Sequence, residues 1–113
     1  MAYRPSRYEQ VMKASEIYDA RARKIFGGMG IYTGEKMFAI LEDDLVSFKL
    51  SPEDREQALE LDGAKVFKPA EEGHSEMPEY IVMPLNVLDD ENKFQSWLTK
   101  SAEYVRSKMK AAS

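Results

Sequence analysis

Apolar side chains near the start of the chain recur at the period of an α-helix. The pattern predicts a helix over residues 5–22, and Pro5 suits its first turn because proline lacks the N–H that a first turn leaves unpaired. Charged side chains lie off the apolar stripe, as on a helix with one buried face. The stripe consists of Tyr8, Val11, Met12, Ser15, Tyr18 and Ala22.

The hydrophobic pattern changes period from residue 24 onward. Short stretches rich in aromatic and β-branched residues alternate with turn residues, which is typical of strands joined by hairpins. The short links between neighbouring stretches predict an antiparallel meander. The predicted strands are roughly Lys24–Phe26, Met29–Thr33, Lys36–Leu41 and Leu45–Leu50.

A short helix and two further strands are predicted in the middle of the chain. Ser51 is followed by a proline and two acids, which favours the start of a helix because the serine can cap free N–H groups. This helix should run over residues 51–61 and stop near Gly63. Residues 65–69 and 78–83 are predicted strands, the second bracketed by prolines.

A long helix is predicted at the end of the chain. Asp89 or Asp90 can cap it, and it should reach about Met109, with residues 110–113 frayed. Its apolar stripe consists of Phe94, Trp97, Leu98, Ser101, Val105 and Met109.

The predicted element order is α-β-β-β-α-β-β-α. We therefore expect an α+β fold with an antiparallel sheet of about five strands and flanking helices. A length of 113 residues fits one domain over residues 1–113.

Charge is distributed unevenly along the chain, although the formal net charge is only −4. Residues 1–24 carry six basic and three acidic side chains, residues 25–98 carry six and sixteen, and residues 99–113 carry four and one. The two terminal helices are therefore predicted to be basic and the body of the sheet acidic. Basic helices of this kind favour either phosphate contacts or plain exposure to water.

The composition assigns no catalytic residue, no metal ligand and no cofactor. The chain has no cysteine, which excludes thiolate metal sites and cysteine nucleophiles, and its one histidine, His74, lies in a predicted hairpin tip. The sequence lacks the roughly 20 consecutive apolar residues of a membrane span, and residues 1–7 lack the apolar core of a signal peptide. We therefore expect a cytoplasmic protein without membrane contact.

The glycine cluster before the second strand departs from known phosphate-binding loops. Its spacing lacks the third glycine of the dinucleotide pattern and the lysine of a P-loop, and a strand follows it where those motifs have a helix. Gly27 and Gly28 are better explained as turn residues with positive φ or a bulge, and Met29 is expected to face solvent. The candidate contact residues of this hairpin are Phe26, Gly27, Gly28, Met29, Gly30 and Tyr32.

The basic ends of the chain raise a nucleic-acid hypothesis. If the first and last helices pack on the same side of the sheet, their cations would converge and attract phosphates. The sequence pI of about 5.1 and the lack of an aromatic–basic RNA-binding signature argue against this hypothesis. The candidate basic face consists of Arg7, Arg21, Arg23, Lys24, Arg106 and Lys108.

Six segments of the chain carry a family resemblance, namely residues 23–32, 36–41, 45–50, 66–69, 80–84 and 88–90. Together, over about residues 8–108, they resemble the TfoX/Sxy N-terminal domain family. The resemblance implies an α+β domain with an antiparallel sheet and a link to regulation of natural DNA uptake in bacteria, where full-length members activate competence genes. It implies no catalytic residues. Longer members carry a second, C-terminal domain, so a standalone N-terminal domain is expected here.

Three functional hypotheses follow. The first is a non-enzymatic regulatory or adaptor module that binds a protein partner, not identified by the sequence, through the sheet edge and the hairpin at residues 27–32. The second is a DNA-binding or transcription-accessory protein that uses the basic terminal helices. The third is a small-ligand binder with Tyr32, Tyr80 or carboxylates at the rim of its pocket. An uncovered edge strand also allows a homodimer.

Overall fold

Six β-strands and four α-helices are formed by the residues that the computed structural model describes, namely 5–25, 27–70 and 73–112, with side chains for 6–25, 27–70 and 73–108. The strands are β1 Arg21–Ile25, β2 Gly28–Thr33, β3 Lys36–Glu42, β4 Leu45–Lys49, β5 Lys65–Phe67 and β6 Met77–Val82. The helices are α1 Pro5–Ala14, α2 Pro52–Leu59, α3 Leu85–Leu88 and α4 Glu91–Ala112.

The strands form one antiparallel sheet in the order β1-β2-β3-β4-β6-β5. The predicted α+β class and antiparallel sheet are confirmed. The sheet has six strands where about five were expected, because the short stretch predicted at residues 24–26 is a full strand, β1, paired with β2 from Arg21–Tyr32 to Ile25–Gly28. Since β6 inserts between β4 and β5, the two edges of the sheet are β1 and β5.

The first helix is shorter than predicted, which corrects the helix expected over residues 5–22. After α1 ends, the Ser15 hydroxyl donates to the Val11 carbonyl oxygen at 2.6 Å, and a 3-10 turn follows over Glu16–Tyr18. Asp19 then adopts a left-handed conformation with φ of 52° and the chain reverses into β1. Arg21 and Ala22, which were predicted to end the helix, therefore pair with β2 as part of the sheet.

Other boundaries differ by a few residues from those predicted. The α2 cap is as expected, with the Asp54 N–H donating to the Ser51 hydroxyl. Asp90, the residue before α4, caps that helix in the same way, because its carboxylate accepts from the Lys93 N–H. However, α2 ends at Leu59, β5 is shorter than predicted, β6 begins and ends one residue earlier than predicted, α4 continues to Ala112, and α3 was not predicted. The side chain of Met109 lies outside the described residues.

The main core lies between one face of the sheet and the layer formed by α1 and α4. Phe94 of α4 packs on Phe48 of β4 with ring centroids 5.8 Å apart. The Ser101 hydroxyl donates to the Phe38 carbonyl oxygen at 2.8 Å, which fixes α4 on β3. The Gln95 side chain donates to the Ala14 carbonyl oxygen at 3.2 Å, so α1 and α4 pack on the same side of the sheet. The largest fully buried side chains of this core are Val11, Ile31, Phe38, Leu41, Val46, Phe48, Leu50, Ile81, Val87 and Leu98.

A smaller apolar cluster lies on the opposite face of the sheet. It contains Ile40, Phe67, Tyr80 and Val82, all buried. The Tyr80 hydroxyl donates to the Met37 carbonyl oxygen at 2.8 Å, which ties β6 to β3 across the face of the sheet. Because this second cluster is much smaller, most of the buried apolar side chains lie on the helix-covered face.

The packing of α4 predicts a graded response to truncation. Replacing Phe94, which is buried, by alanine should lower the free energy of unfolding by about 3 to 5 kcal/mol. Trp97→Ala should cost less, because Trp97 lies at the margin of the core and is only partly buried. Urea unfolding followed by far-ultraviolet circular dichroism measures both, and equal losses would contradict the packing described.

Candidate functional site

The glycine-rich segment forms the tight turn between β1 and β2. Ile25 pairs with Gly28, so the turn consists of two residues, of which Phe26 lies outside the described residues. Gly27 has a φ of 129°, and its N–H donates to the Ile25 carbonyl oxygen at 2.6 Å. The predicted positive φ is therefore confirmed at Gly27, where a side chain would be strained.

Gly28 is required for a different reason from the one predicted. Its φ is not positive, and a Cβ at this position would collide with the Leu41 carbonyl oxygen and lie 3.3 Å from the Glu42 Cα atom. At Gly30, a Cβ would lie 2.6 Å from the Met37 Sδ atom. Both glycines thus allow close approach of neighbouring atoms.

Met29 is buried, so the expectation that it faces solvent is wrong. Only 9% of its surface is exposed, and it packs in the main core opposite Leu41 of β3. The alternation of a strand explains this: Met29 and Ile31 point to the helix-covered face, whereas Gly30 lies on the other. The hairpin therefore offers little apolar surface for a partner.

The exposed part of this region is the outer edge of β1. In the part of the chain that the structure describes, no strand pairs with the outer side of β1. Alternate residues of an antiparallel edge strand direct their N–H and C=O groups outward. Arg21, Arg23 and Lys24 are exposed, whereas Ala22 and Ile25 are partly buried against the two apolar clusters.

The two arginines of β1 lie on the same face as Tyr32 of β2. The Arg23 guanidinium carbon lies 5.5 Å from the centroid of the Tyr32 ring. The Arg21 side chain donates to the Gly34 carbonyl oxygen at 2.8 Å and lies 3.8 Å from the Glu35 carboxylate. This ion pair is exposed on both sides, so it contributes little to stability. The edge therefore presents both arginines at exposed positions, each with one contact to a neighbouring group.

The other members of the predicted basic face lie elsewhere. Arg7 is held inside the molecule: its side chain is only 13% exposed, it donates to Gln10, and it lies 3.5 Å from the Asp89 carboxylate. Arg106 stacks over the Tyr18 ring on the α1 side of α4, with its guanidinium carbon 5.6 Å from the ring centroid. The predicted basic face is thus divided among separate places, and only its β1 members form one accessible group.

Two aromatic residues of α4 carry lysines on their rings, a feature that the sequence analysis missed. The Lys100 ammonium lies 5.6 Å from the Trp97 ring centroid, and the Lys108 ammonium lies 4.7 Å from the Tyr104 ring centroid. A hydrogen bond with Tyr104 is the main cause that raises the pKa of Lys108. The sequence does contain a signal for this arrangement, because the spacing i, i+3, i+7 and i+11 places these four side chains on one side of a helix.

The buried tyrosines have structural roles. Burial is the largest cause that raises the pKa of Tyr80, followed by the nearby Glu79 carboxylate. Burial also raises the pKa of Tyr18, whose hydroxyl donates to Glu103 at 3.0 Å. Both phenols therefore stay protonated near neutral pH and act as hydrogen-bond donors.

Cavities and acidic clusters assign no further site chemistry. A groove of about 650 Å³ lies between the β3–β4 turn and α3 and is lined by Leu45, Val82 and Leu85, but neither Tyr32 nor Tyr80 lines it. A notch of about 140 Å³ lies beside Tyr32 and the arginines of β1. Among the described residues, no three His, Asp or Glu side chains come together to hold a metal ion. Within the same residues, no helix has both the length and the apolar character to cross a membrane.

Gly28 offers a test of the close approach between β2 and β3. Gly28→Ala should lower the free energy of unfolding by about 3 kcal/mol, because the new methyl group collides with backbone atoms that have no room to move. The matched control is Gly73→Ala, where φ is 90° but the added Cβ would meet no described atom within 4 Å apart from its chain neighbours, so backbone strain alone should cost about 1 kcal/mol. Urea titrations measure both, and a smaller loss at Gly28 than at Gly73 would refute the collision.

Comparison with known proteins gives one family match for this chain. Residues 13–105 match the TfoX N-terminal domain, whereas the comparison with curated proteins returned no match. The matched range contains all six strands of the sheet, including the β1–β2 hairpin, and most of α4. Since the match extends over well above half of the 113 residues, the chain belongs to the TfoX N-terminal domain family.

Proposed function

We propose that this chain is a non-enzymatic regulatory module, and that it works by adding an acidic, extended segment of a protein partner to the outer edge of β1. Membership of the TfoX N-terminal domain family supports a role of the competence-regulator type. The observation that carries the contact is the exposed five-residue edge strand with its three cations. Such a role places the module in the cytoplasm, where transcription is controlled.

The edge of β1 has the properties of a strand acceptor. Its inner side pairs with β2 over all five residues, so its backbone is already extended and ordered. A peptide that adds to such an edge gains main-chain hydrogen bonds without reorganising the acceptor. The opposite edge is less suitable, because β5 has three residues and its pairing with β6 has a register shift.

Charge determines which kind of segment fits. Arg21 and Arg23 lie on one face of β1 and Lys24 on the other, so an added strand has a cation beside it on each face of the sheet. Side chains directly opposite in paired strands lie close enough for opposite charges to attract and like charges to repel. A partner segment with a carboxylate at every second position places all of them on one face, where they complement Arg21 and Arg23.

The same argument disfavours a homodimer formed by two β1 strands. In the central antiparallel register, Arg23 would lie directly opposite Arg23 of the second copy, and the neighbouring cations would lie on the diagonals. Lysines and arginines on an edge strand are a common means of preventing self-association. The edge is therefore selective for an acidic partner.

The proposed contact predicts binding of a short peptide in which Glu and Val alternate. The peptide should protect backbone amides of β1 from hydrogen exchange, and Arg21→Glu combined with Arg23→Glu should weaken binding roughly tenfold or more, because like charges then face each other. The matched control is Lys65→Glu with Lys68→Glu, which makes the same change in net charge at the β5 end of the sheet. Fluorescence anisotropy measures the affinity.

Two outcomes would refute this contact. One is binding that leaves the β1 amides unprotected. The other is an equal loss of affinity in the control variant, which would show that only the total charge matters. A peptide with lysine in place of glutamate should not bind.

A regulatory role makes a separate prediction in the host cell. Chromosomal Arg21→Glu with Arg23→Glu should lower transcription of the regulated genes, whereas Lys65→Glu with Lys68→Glu should leave it unchanged. Reporter fusions measure transcription, and immunoblots verify equal protein levels. Unchanged transcription in the β1 variant would contradict a regulatory use of this edge even if the peptide binds.

A further inference from the structure

A stripe of alternating aromatic and basic side chains runs along one side of α4. We call Trp97, Lys100, Tyr104 and Lys108 the α4 stripe. Each lysine lies over the ring that precedes it, at 5.6 and 4.7 Å from ammonium nitrogen to ring centroid. Trp97 and Tyr104 are partly buried and pack against the core, and this contact restricts the orientation of both rings.

The charge around the stripe is positive. Between residues 93 and 108, α4 carries four cations and one acid, Glu103. Glu103 accepts a hydrogen bond from Tyr18 on the α1 side of the helix. The Glu79 carboxylate, which acts electrostatically on Lys108, lies 3.8 Å from the Lys49 ammonium and 3.7 Å from the Arg55 guanidinium. Both carboxylates therefore have hydrogen-bond or ion-pair partners outside the stripe, while Lys108 is exposed and Lys100 is partly exposed.

The apolar face of α4 is already used and does not explain the stripe. Phe94, Leu98, Ala102 and Val105 are buried against the sheet and α1. A helix that inserts into a membrane surface needs that face free. The stripe lies beside the buried face and combines flat rings with ammonium groups.

This combination complements single-stranded nucleic acid. Ammonium groups attract backbone phosphates, and aromatic rings stack on bases that are not enclosed in a duplex. In a double helix the base faces are covered by their neighbours, so only the lysines of such a stripe would find partners. The ring–lysine alternation therefore favours a single strand over a duplex.

We propose that the α4 stripe binds single-stranded nucleic acid: the Lys100 and Lys108 side chains swing from the rings onto phosphates, and the ring faces of Trp97 and Tyr104 that they uncover stack on bases. The stripe and the β1 edge belong to different elements, so this binding does not depend on the protein contact proposed above. A module with both surfaces would connect a protein partner to a nucleic-acid strand.

Trp97 makes the proposal directly measurable, because it is the only tryptophan of the chain. Titration with a short oligothymidylate at low salt should change its fluorescence, and a duplex of equal length should change it far less. The logarithm of affinity should fall linearly with the logarithm of salt concentration. Lys100→Ala with Lys108→Ala should lower the slope by about 1.4, as expected for two phosphate contacts on a single strand.

Control variants separate the stripe from general electrostatics. Lys36→Ala with Lys65→Ala removes the same charge from exposed positions outside α4 and should leave affinity and slope unchanged. Tyr104→Leu keeps an apolar side chain against the core but removes the stacking ring, and should weaken binding about five- to 150-fold. Circular dichroism verifies that each variant is folded.

The proposal is overturned if Trp97 fluorescence does not respond to oligothymidylate at low salt. It is equally overturned if the duplex binds as tightly as the single strand, or if the Lys36 and Lys65 control loses as much affinity as the stripe variant. The proposal is supported if Trp97 fluorescence responds, if the single strand binds more tightly than the duplex, and if only the stripe variants lose affinity.

Discussion

The packing of α4 on the sheet is the interaction on which the rest of the structure depends. Its buried side chains cover strand residues such as Phe48, and the Ser101 hydroxyl fixes the helix to the backbone of β3. Removing these apolar surfaces from water supplies much of the free energy of folding. Because α1 packs in the same layer, both terminal helices lie on one side of the sheet, and β1 remains at an edge that no described strand covers.

This arrangement gives the molecule two surfaces of different chemistry. The β1 edge offers unpaired backbone groups among Arg21, Arg23 and Lys24, which suits an extended acidic chain. The α4 stripe offers ammonium groups above aromatic rings, which suits phosphates and exposed bases. The body of the chain is acidic, so the basic side chains at these surfaces stand out against it.

Local patterns predicted most elements because the signals they use are local. The Ser51 and Asp90 caps and the positive φ of Gly27 depend on a few neighbouring residues, and each is present. The helix predicted over 5–22 was too long because its stripe, ending at Ala22, fits a helix and a turn-plus-strand equally well. Only pairing with β2 decides between them. The burial of Met29 likewise follows from the register with β3, which a single sequence does not display.

The sequence by itself determined the α+β class, the antiparallel pairing of adjacent strands, the basic ends and the absence of cysteine chemistry, since these depend on composition, periodicity and short links. Tertiary structure alone decided that β6 lies between β4 and β5, that Arg7 is enclosed while Arg23 is exposed, and that lysines of α4 lie over its rings. The physical reason is that charge and apolar character are properties of each residue, whereas burial and neighbourhood depend on which distant segments pack together.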